Sequence, residues 1–151
     1  VVVMYDGRVV QIGSPEELFE RPAHTFVGYF IGSPGMNVIP AKVEGAKAYI
    51  NGCEIALGAG YAPLDGKVEI GVRPEFARLS ETDGLPVRVR RVEDAGRHKI
   101  IRAEFFGQDI NIIADEDDPV RADMTRVTFD PSRVNVYAND WRVAPESAEA
   151  A

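Results

Sequence analysis

The chain has 151 residues, of which 45% are hydrophobic and 27% charged, which is typical of a folded globular protein rather than a disordered one. Its net charge of −7 argues against nucleic-acid binding by the surface as a whole, and its apolar runs are too short for a transmembrane helix. One cysteine excludes an internal disulfide. Because the sequence begins at a valine inside an apolar run, we interpret it as part of a longer protein.

The first elements in chain order are a hairpin and two short helices. Apolar runs at residues 1–4 and 8–12 flank Asp6-Gly7, a pair typical of a type I′ hairpin turn. Ser14 and Glu17 form a capping-box pattern that predicts a helix start, and Pro22 ends that helix. A second helix is predicted over residues 23–31. Its aromatic face is too large for residues 1–32 to bury, so we expect it to pack on another surface.

Residues 31–40 mark a joint between this helical part and a strand-rich part. Gly32 is suited to a helix C-cap, Pro34 prevents the helix from resuming, and Gly35 lets the backbone redirect. We therefore divide the chain into residues 1–35, residues 36–143 and a tail at 144–151. We expect this joint to be a hinge of the longer protein.

The strand-rich part reads as a series of short strands. They are predicted at residues 38–43, 46–50, 54–57, 67–72, 87–92, 99–106, 109–114, 126–129, 134–137 and 141–143. Asn51-Gly52 predicts a second type I′ turn. The alternation of polar and apolar residues slips at Arg91-Val92, which indicates a β-bulge of the kind that curls a sheet. Many short strands at regular spacing predict a small barrel or a sandwich, and we prefer a barrel of the oligonucleotide-binding (OB) type.

Residues 3–22, VMYDGRVVQIGSPEELFERP, resemble the end of the ATP-binding subunit of ABC importers for sugars and glycerol phosphate, typified by the maltose importer ATPase. The resemblance continues through Phe26-Val27, residues 30–34 and Met36-Asn37. After the joint, residues 71–75 resemble the hallmark of the C-terminal regulatory domain in that family, called TOBE, a transport-associated OB-fold. Residues 92–94 with Gly96, and residues 129–137, resemble its later blocks.

This resemblance implies a fold class and a set of partners. The fold would be mainly β, an OB-like barrel preceded by the hairpin and helices that end an ATPase domain. Two ATPase subunits would bind ATP and Mg²⁺ between them at the inner face of the cell membrane, against integral-membrane permease subunits. The C-terminal domains would hold the second copy of the subunit and receive a regulatory protein.

The chain itself carries no recognisable nucleotide site. Residues 60–67 come nearest to a phosphate-binding loop, but Tyr61 stands where the first glycine belongs and Val68 where a hydroxyl residue would hold Mg²⁺. His24 and His98 lack partners at metal-ligand spacing, and residues 115–118 lack the spacing of a calcium loop. We expect no catalytic, cofactor or metal residues here and no ATP hydrolysis by these residues alone.

Two groups of residues are candidates for interaction. Arg73, Pro74 and Glu75 form a turn, since proline cannot continue a central strand, and the Arg–Glu pair would contact a partner or form a local salt bridge. The resemblance adds Glu93, Asp94 and Gly96 to this interface. The residues expected to pack on an ATPase core are Phe26, Tyr29, Phe30 and Ile31.

A basic cluster leaves two further interpretations open. It comprises Arg88, Arg90, Arg91, Arg97, Lys99 and Arg102. It is either the solvent face of a hairpin balanced by Glu93, Asp94 and Glu104, or a positive face for an acidic partner or an anion. Hence the alternatives to a regulatory domain are an oxyanion-binding TOBE barrel and, more weakly, a nucleic-acid-binding OB module.

Overall fold

The structure is a computed structural model that describes residues 1–146, so most of the tail predicted at 144–151 lies outside the described residues. It is mainly β, with two short helices, as predicted. The helices are α1 (Pro15–Glu20) and α2 (Thr25–Phe30). The first strands are β1 (Val2–Tyr5), β2 (Arg8–Ile12), β3 (Asn37–Pro40), β4 (Lys42–Ile50), β5 (Cys53–Tyr61), β6 (Val68–Val72) and β7 (Ala77–Ser80). The remaining strands are β8 (Leu85–Pro86), β9 (Arg88–Asp94), β10 (His98–Phe105), β11 (Gln108–Asp115), β12 (Arg126–Phe129), β13 (Asn135–Ala138) and β14 (Trp141–Arg142).

The helical unit, residues 1–31, forms as its local signals predict. Strands β1 and β2 pair around Asp6 and Gly7, whose φ angles of 51° and 76° are those of the predicted turn. The Ser14 side chain accepts a hydrogen bond from Glu17 N at 3.2 Å and so caps α1. Helix α2 begins at Thr25, later than predicted, because the Nδ1 atom of His24 accepts from Phe26 N and caps the helix there.

The strand domain, residues 36–146, is assembled from several small antiparallel sheets. Their strand orders are β14-β13-β6-β3, β11-β10-β9, β7-β12-β8 and the hairpin β4-β5. They enclose one apolar core, in which Ile70, Leu85, Ile110 and Val136 are fully buried. Among residues 1–146, no helix is long and apolar enough to cross a membrane.

Some strand boundaries differ from the predicted ones. The run predicted at 38–43 is split at Ala41, because β3 pairs with β6 whereas β4 leaves that sheet to pair with β5. Strand β5 continues to Tyr61, four residues beyond the strand predicted at 54–57. The predicted bulge is present: between Arg102 and Ala103 the register on β9 shifts from Arg91 to Val89 and leaves Arg90 as the extra residue.

Candidate functional site at the joint

Arg73 joins the strand domain to both helices. Its side chain is only 3% exposed, and Nε donates to the carbonyl oxygen of Phe19 at 3.0 Å. Nη1 donates to Gly28 O at 3.0 Å and to Ile31 O, and Nη2 reaches Leu18 O at 3.5 Å. One guanidinium group therefore binds the C-terminal carbonyls of α1 and of α2 at the same time. We call this set of contacts the Arg73 clasp.

The chemistry of helix ends explains why an arginine stands here. The last carbonyls of a helix have no partner within the helix and carry partial negative charge, which a cation offsets. The planar fork of arginine can satisfy several of them, and its face lies 4.4 Å from the centre of the Phe19 ring. Burial lowers the pKa of Arg73 from its usual value, and the charge of Glu75 opposes that shift. The group still donates as a cation, since arginine starts far above neutral pH.

Met36 packs into the joint between two glycines. A Cβ atom at Gly28 would lie 2.3 Å from Met36 Cε, and one at Gly71 would lie 2.7 Å from the same atom. Met36 N also donates to Gly28 O at 2.9 Å. The side chain is 3% exposed and belongs to a small cluster with Val38 and Tyr137. Glycines on α2 and β6 thus allow the helix and the sheet to approach closely.

Strand β13 and the turn after it hold the segment between the helices. The Tyr137 hydroxyl donates to Pro22 O at 2.7 Å, and Asn135 Nδ2 donates to Glu20 O at 3.1 Å. Tyr137 is fully buried, and burial raises the pKa of its hydroxyl well above the usual range. At physiological pH this hydroxyl therefore remains a donor.

A second connection runs through Asp140, in the turn between β13 and β14. Its backbone carbonyl accepts from Thr25 N at 2.9 Å, and its carboxylate pairs with Lys67 Nζ at 2.5 Å. The hydrogen bond from Lys67 lowers the pKa of the Asp140 carboxyl. Asp140 has a φ of 76°, a backbone conformation that glycine adopts more easily than other residues. The sequence nevertheless has an aspartate here, whose carboxylate binds Lys67.

Together these contacts bear on two of the expectations from sequence. The joint is closely packed, because the buried side chains of Arg73, just after β6, and of Tyr137, on β13, bind backbone carbonyls of residues 18–31 across it. The hinge expected at the joint concerns a motion of the longer protein and stays a prediction. Arg73 is buried, so it does not form the exposed turn expected beside Glu75, and no salt bridge joins the two among the described residues. Glu75 alone of that pair is exposed.

The other predicted interface residues lie elsewhere in the molecule. Glu93 is the second-last residue of β9, and the hydrogen bonds that it accepts from Arg102 and, to a lesser extent, Arg91 lower its carboxyl pKa. Asp94 Oδ1 accepts from Gly96 N at 2.9 Å and shapes the turn of the β9–β10 hairpin. The structure does not bring these three residues together with Glu75 as one site.

The four residues expected to pack on an ATPase core fall into two groups. Phe26 and Ile31 are partly buried against Val3, Leu18 and Val27 within the chain itself. Tyr29 is 56% exposed and Phe30 is 67% exposed.

The basic cluster is largely balanced by carboxylates. Arg88 and Arg90 both contact Glu104, at 3.3 and 2.9 Å. Arg91 and Arg102 share Glu93. This arrangement favours the interpretation as the solvent face of a hairpin. In residues 1–146, no group of three or more His, Cys, Asp or Glu side chains is placed to hold a metal ion.

Sequence reasoning missed several residues of the joint. Tyr137, Asn135 and Asp140 bind segments about 115 positions earlier in the chain, and no local pattern marks such pairs. The glycines at 28 and 71 were the available signal, since glycine inside a helix or strand often marks close backbone approach.

Comparison with known proteins gives matches on both sides of the joint. The family described as "MalK OB fold domain" matches residues 32–76. The sn-glycerol-3-phosphate import ATP-binding protein UgpC of Ruegeria pomeroyi is 41% identical over 114 residues, which cover 75% of this chain and 32% of that protein. UgpC 1 of Rhizobium johnstonii is 34% identical over 148 residues, which cover 93% of this chain and 40% of that protein.

A third relative carries a less specific name. The uncharacterized ABC transporter ATP-binding protein y4oS of Sinorhizobium fredii is 41% identical over 119 residues, which cover 73% of this chain and 31% of that protein. The chain thus spans roughly a third of the length of these relatives.

Proposed function

The chain is a relative of the C-terminal part of ABC-importer ATP-binding subunits and carries their MalK-type OB-fold domain, and we propose that it is the module through which such a subunit is controlled. In this proposal the strand domain holds two copies of the subunit together and transmits a regulatory signal to the ATPase domain. ATP and Mg²⁺ bind in the rest of the protein, which works with integral-membrane permease subunits at the inner face of the membrane.

The Arg73 clasp is the observation that supports this proposal best. A control domain must be mechanically coupled to the domain that it controls. A buried guanidinium that binds carbonyls of both α1 and α2 couples β6 to the helices without an intervening flexible linker. A displacement of the strand domain would therefore move the helical unit with it.

Exposed apolar side chains on the helical unit support its attachment to an ATPase body. Large hydrophobic side chains at the surface of a soluble domain mark contact surfaces when they are grouped. Within the described residues, most of the exposed large hydrophobics lie in the first 31 positions: Val1, Val2, Met4, Tyr5, Val9, Ile12, Tyr29 and Phe30. We infer that this face packs on the nucleotide-binding domain.

The names of the relatives supply the first substrate to test. Two of them are named for sn-glycerol-3-phosphate import, and we propose a substrate of this kind, a sugar or a polyol phosphate, for the transporter that contains this chain.

The decisive experiment uses the complete encoded protein reconstituted with its permease subunits. The proposal requires a P-loop and an ABC signature in that protein, and substrate-dependent ATP hydrolysis. Arg73→Met should leave basal ATP hydrolysis within about twofold and reduce the stimulation by substrate, whereas Arg78→Met, at an exposed position close by, should change neither. A folded Arg73→Met protein with unchanged stimulation would show that the clasp does not couple the two parts.

Self-association can be tested on the chain itself. Light scattering over a concentration series should show a dimer that dissociates on dilution. A monomer at every concentration would remove the part of the proposal in which the strand domain holds two copies together.

A further inference from the structure

A small cavity opens at the joint, beside the Arg73 clasp but separate from it. Its volume is about 290 Å³. Residues of the hairpin, of α2 and of the strand domain form its wall: Tyr5, His24, Thr25, Phe26, Tyr29, Lys67, Glu69 and Asp140. This volume is at the lower limit of ligand pockets, so the cavity suits only a small molecule.

Aromatic rings form one side of the cavity. The ring centroids of Tyr5 and Phe26 lie 4.5 Å apart, and those of Tyr5 and His24 lie 5.3 Å apart. Tyr29 completes this side. Burial and the charge of Glu69 raise the pKa of the Tyr29 hydroxyl, and the charge of Lys67 only partly opposes them, so this ring is uncharged at physiological pH. Faces of neutral aromatic rings attract cations through their quadrupoles.

Carboxylates form the other side and exceed the positive charge that faces them. The Glu69 side chain is only 14% exposed, and Lys67 Nζ lies 3.8 Å from its Oε1. Lys67 binds Asp140 more closely, at 2.5 Å, and its side chain stays 56% exposed at the rim. The three groups together carry a charge of about −1 at neutral pH, and Glu69 is the less well compensated carboxylate.

From this combination we propose that the cavity binds a small organic cation, a quaternary or substituted ammonium group held between the aromatic rings and Glu69. A compact ammonium with methyl groups would place apolar surface on Tyr5 and Tyr29 and its charge toward the carboxylate. Lys67 acts as a competing internal cation. Tyr5 and Tyr29 also belong to the exposed face that we infer packs on the nucleotide-binding domain, so in the complete protein that packing would compete with the ligand, whereas the chain itself presents the site. If the proposed control function also holds, a ligand here would stabilise the packing at the joint, because it would contact both the helical unit and the strand domain.

Trp141 provides a reporter for this site in the unmodified chain. It is the single tryptophan of the sequence, and its ring centroid lies 4.7 Å from that of His24, which lines the cavity. Titration with choline should change the Trp141 emission saturably. The matched control is 3,3-dimethyl-1-butanol, which has the same shape without the charge and should give no saturable change at the same concentrations.

Three variants separate a binding site from a structural feature. Tyr29→Leu should weaken choline binding about three- to tenfold, the range expected for one cation–π contact, whereas Tyr49→Leu on β4 should not. Glu69→Gln should also weaken it. Lys67→Met should tighten binding because the competing amine is gone, and Lys42→Met, whose amine contacts Glu44 instead, serves as its control.

Tighter choline binding by Lys67→Met would not be expected if these residues had only a structural role. If the fluorescence is silent, amide chemical shifts of residues 24–29 and 67–69 under the same titration decide the question. Equal responses to choline and its uncharged isostere, no saturable response by either method, or weaker binding in a folded Lys67→Met protein would overturn the proposal. None of these outcomes depends on ATP hydrolysis, so they leave the proposed transport role to its own test.

Discussion

Arg73 Nη1 donates to Gly28 O at 3.0 Å, although the arginine directly follows a strand of one unit and the glycine lies inside a helix of the other. The same carbonyl oxygen accepts from Met36 N at 2.9 Å. A carbonyl has two lone pairs, so Gly28 O is fully used by two residues that lie beyond its own helix. The end of α2 is therefore stabilised by the strand domain as well as by its own capping bond from Ile31 N to Val27 O.

The first prediction concerns this arginine. Arg73→Met keeps an apolar stem but removes every donor, so carbonyls at the ends of α1 and α2 lose buried charge-assisted hydrogen bonds. We expect the free energy of unfolding to fall by about 3 kcal/mol or more. The unfolding free energy of Arg73→Lys should lie between those of wild type and Arg73→Met, because one ammonium group cannot bind carbonyls of both helices. Urea unfolding followed by circular dichroism measures the effect.

The exposed Arg78 offers the control for that series. Arg78→Met should change stability by less than about 0.5 kcal/mol, as surface substitutions usually do. If Arg73→Met were no more destabilising than this control, the carbonyls would be satisfied equally well by water, and the clasp would contribute little to the fold.

The second prediction concerns acid. The hydrogen bond from Lys67 makes the pKa of Asp140 lower in the folded chain than in the unfolded chain. A carboxyl with a depressed folded pKa contributes stability above its unfolded pKa, near 4, and loses that contribution as pH falls through the folded value. Asp140→Asn should be less stable than wild type at pH 7, and the difference should shrink between pH 5 and pH 2.

Urea midpoints measured at several pH values test this dependence. Asparagine tolerates positive φ, so the turn at residue 140 should survive the substitution. Asp117→Asn, in an exposed acidic turn, is the matched control and should show no such convergence with wild type. A gap between Asp140→Asn and wild type that stays constant or widens in acid would contradict the role assigned to the carboxylate.

How far the sequence predicts this molecule depends on the range of the interactions involved. Asp6-Gly7 and Asn51-Gly52 specify their turns locally, and both hairpins form around them. The Ser14 cap is equally local. The boundary at Ala41 was wrong because it depends on which sheet each flanking strand joins, and pairing between distant strands leaves no mark on a few consecutive residues.

The joint shows the same limit for the candidate site. The motif at residues 73–75 was recognisable from the sequence. However, arginine is usually a surface residue, and no neighbouring residue in the sequence indicates that two helices end beside it. Its partners Leu18 and Phe19 lie more than 50 positions away. Composition alone could not show that residues 32–35 are closely packed, because glycine occurs both in flexible linkers and where two backbones approach closely.

The third prediction tests the packing of Met36 between glycines. Gly71→Ala would place a methyl group 2.7 Å from Met36 Cε and from Tyr137 Cε1, so side chains in a closely packed core would have to move. We expect a loss of about 1–3 kcal/mol in stability. Adding Met36→Ala should make the double variant more stable than the sum of the two single losses predicts, because the smaller side chain leaves room.

A thermodynamic cycle of unfolding free energies for these variants provides the measurement. Gly107→Ala is not a suitable control, because Gly107 has a φ of 81° and would add backbone strain. Ala56→Gly and Met36→Ala, whose sites lie in different parts of the strand domain, form an independent pair that should be additive. Additivity of Gly71→Ala with Met36→Ala would contradict direct contact between the two side chains.

The last prediction concerns the Tyr137 hydroxyl. Tyr137→Phe leaves the ring in place but removes the donor to Pro22 O, a buried carbonyl oxygen at 2.7 Å. Leaving a buried acceptor without its donor costs about 1–3 kcal/mol, so we expect a stability loss in that range with little change in the circular dichroism spectrum. Tyr49→Phe removes a hydroxyl that contacts Glu54 at the surface and should cost less than about 0.5 kcal/mol.

Amide hydrogen exchange would locate the effect of Tyr137→Phe. Protection should fall first at residues 23–28, because Pro22 O is then no longer bonded to β13. Unchanged stability and unchanged protection at residues 23–28 would show instead that Tyr137 supports the fold through its ring alone.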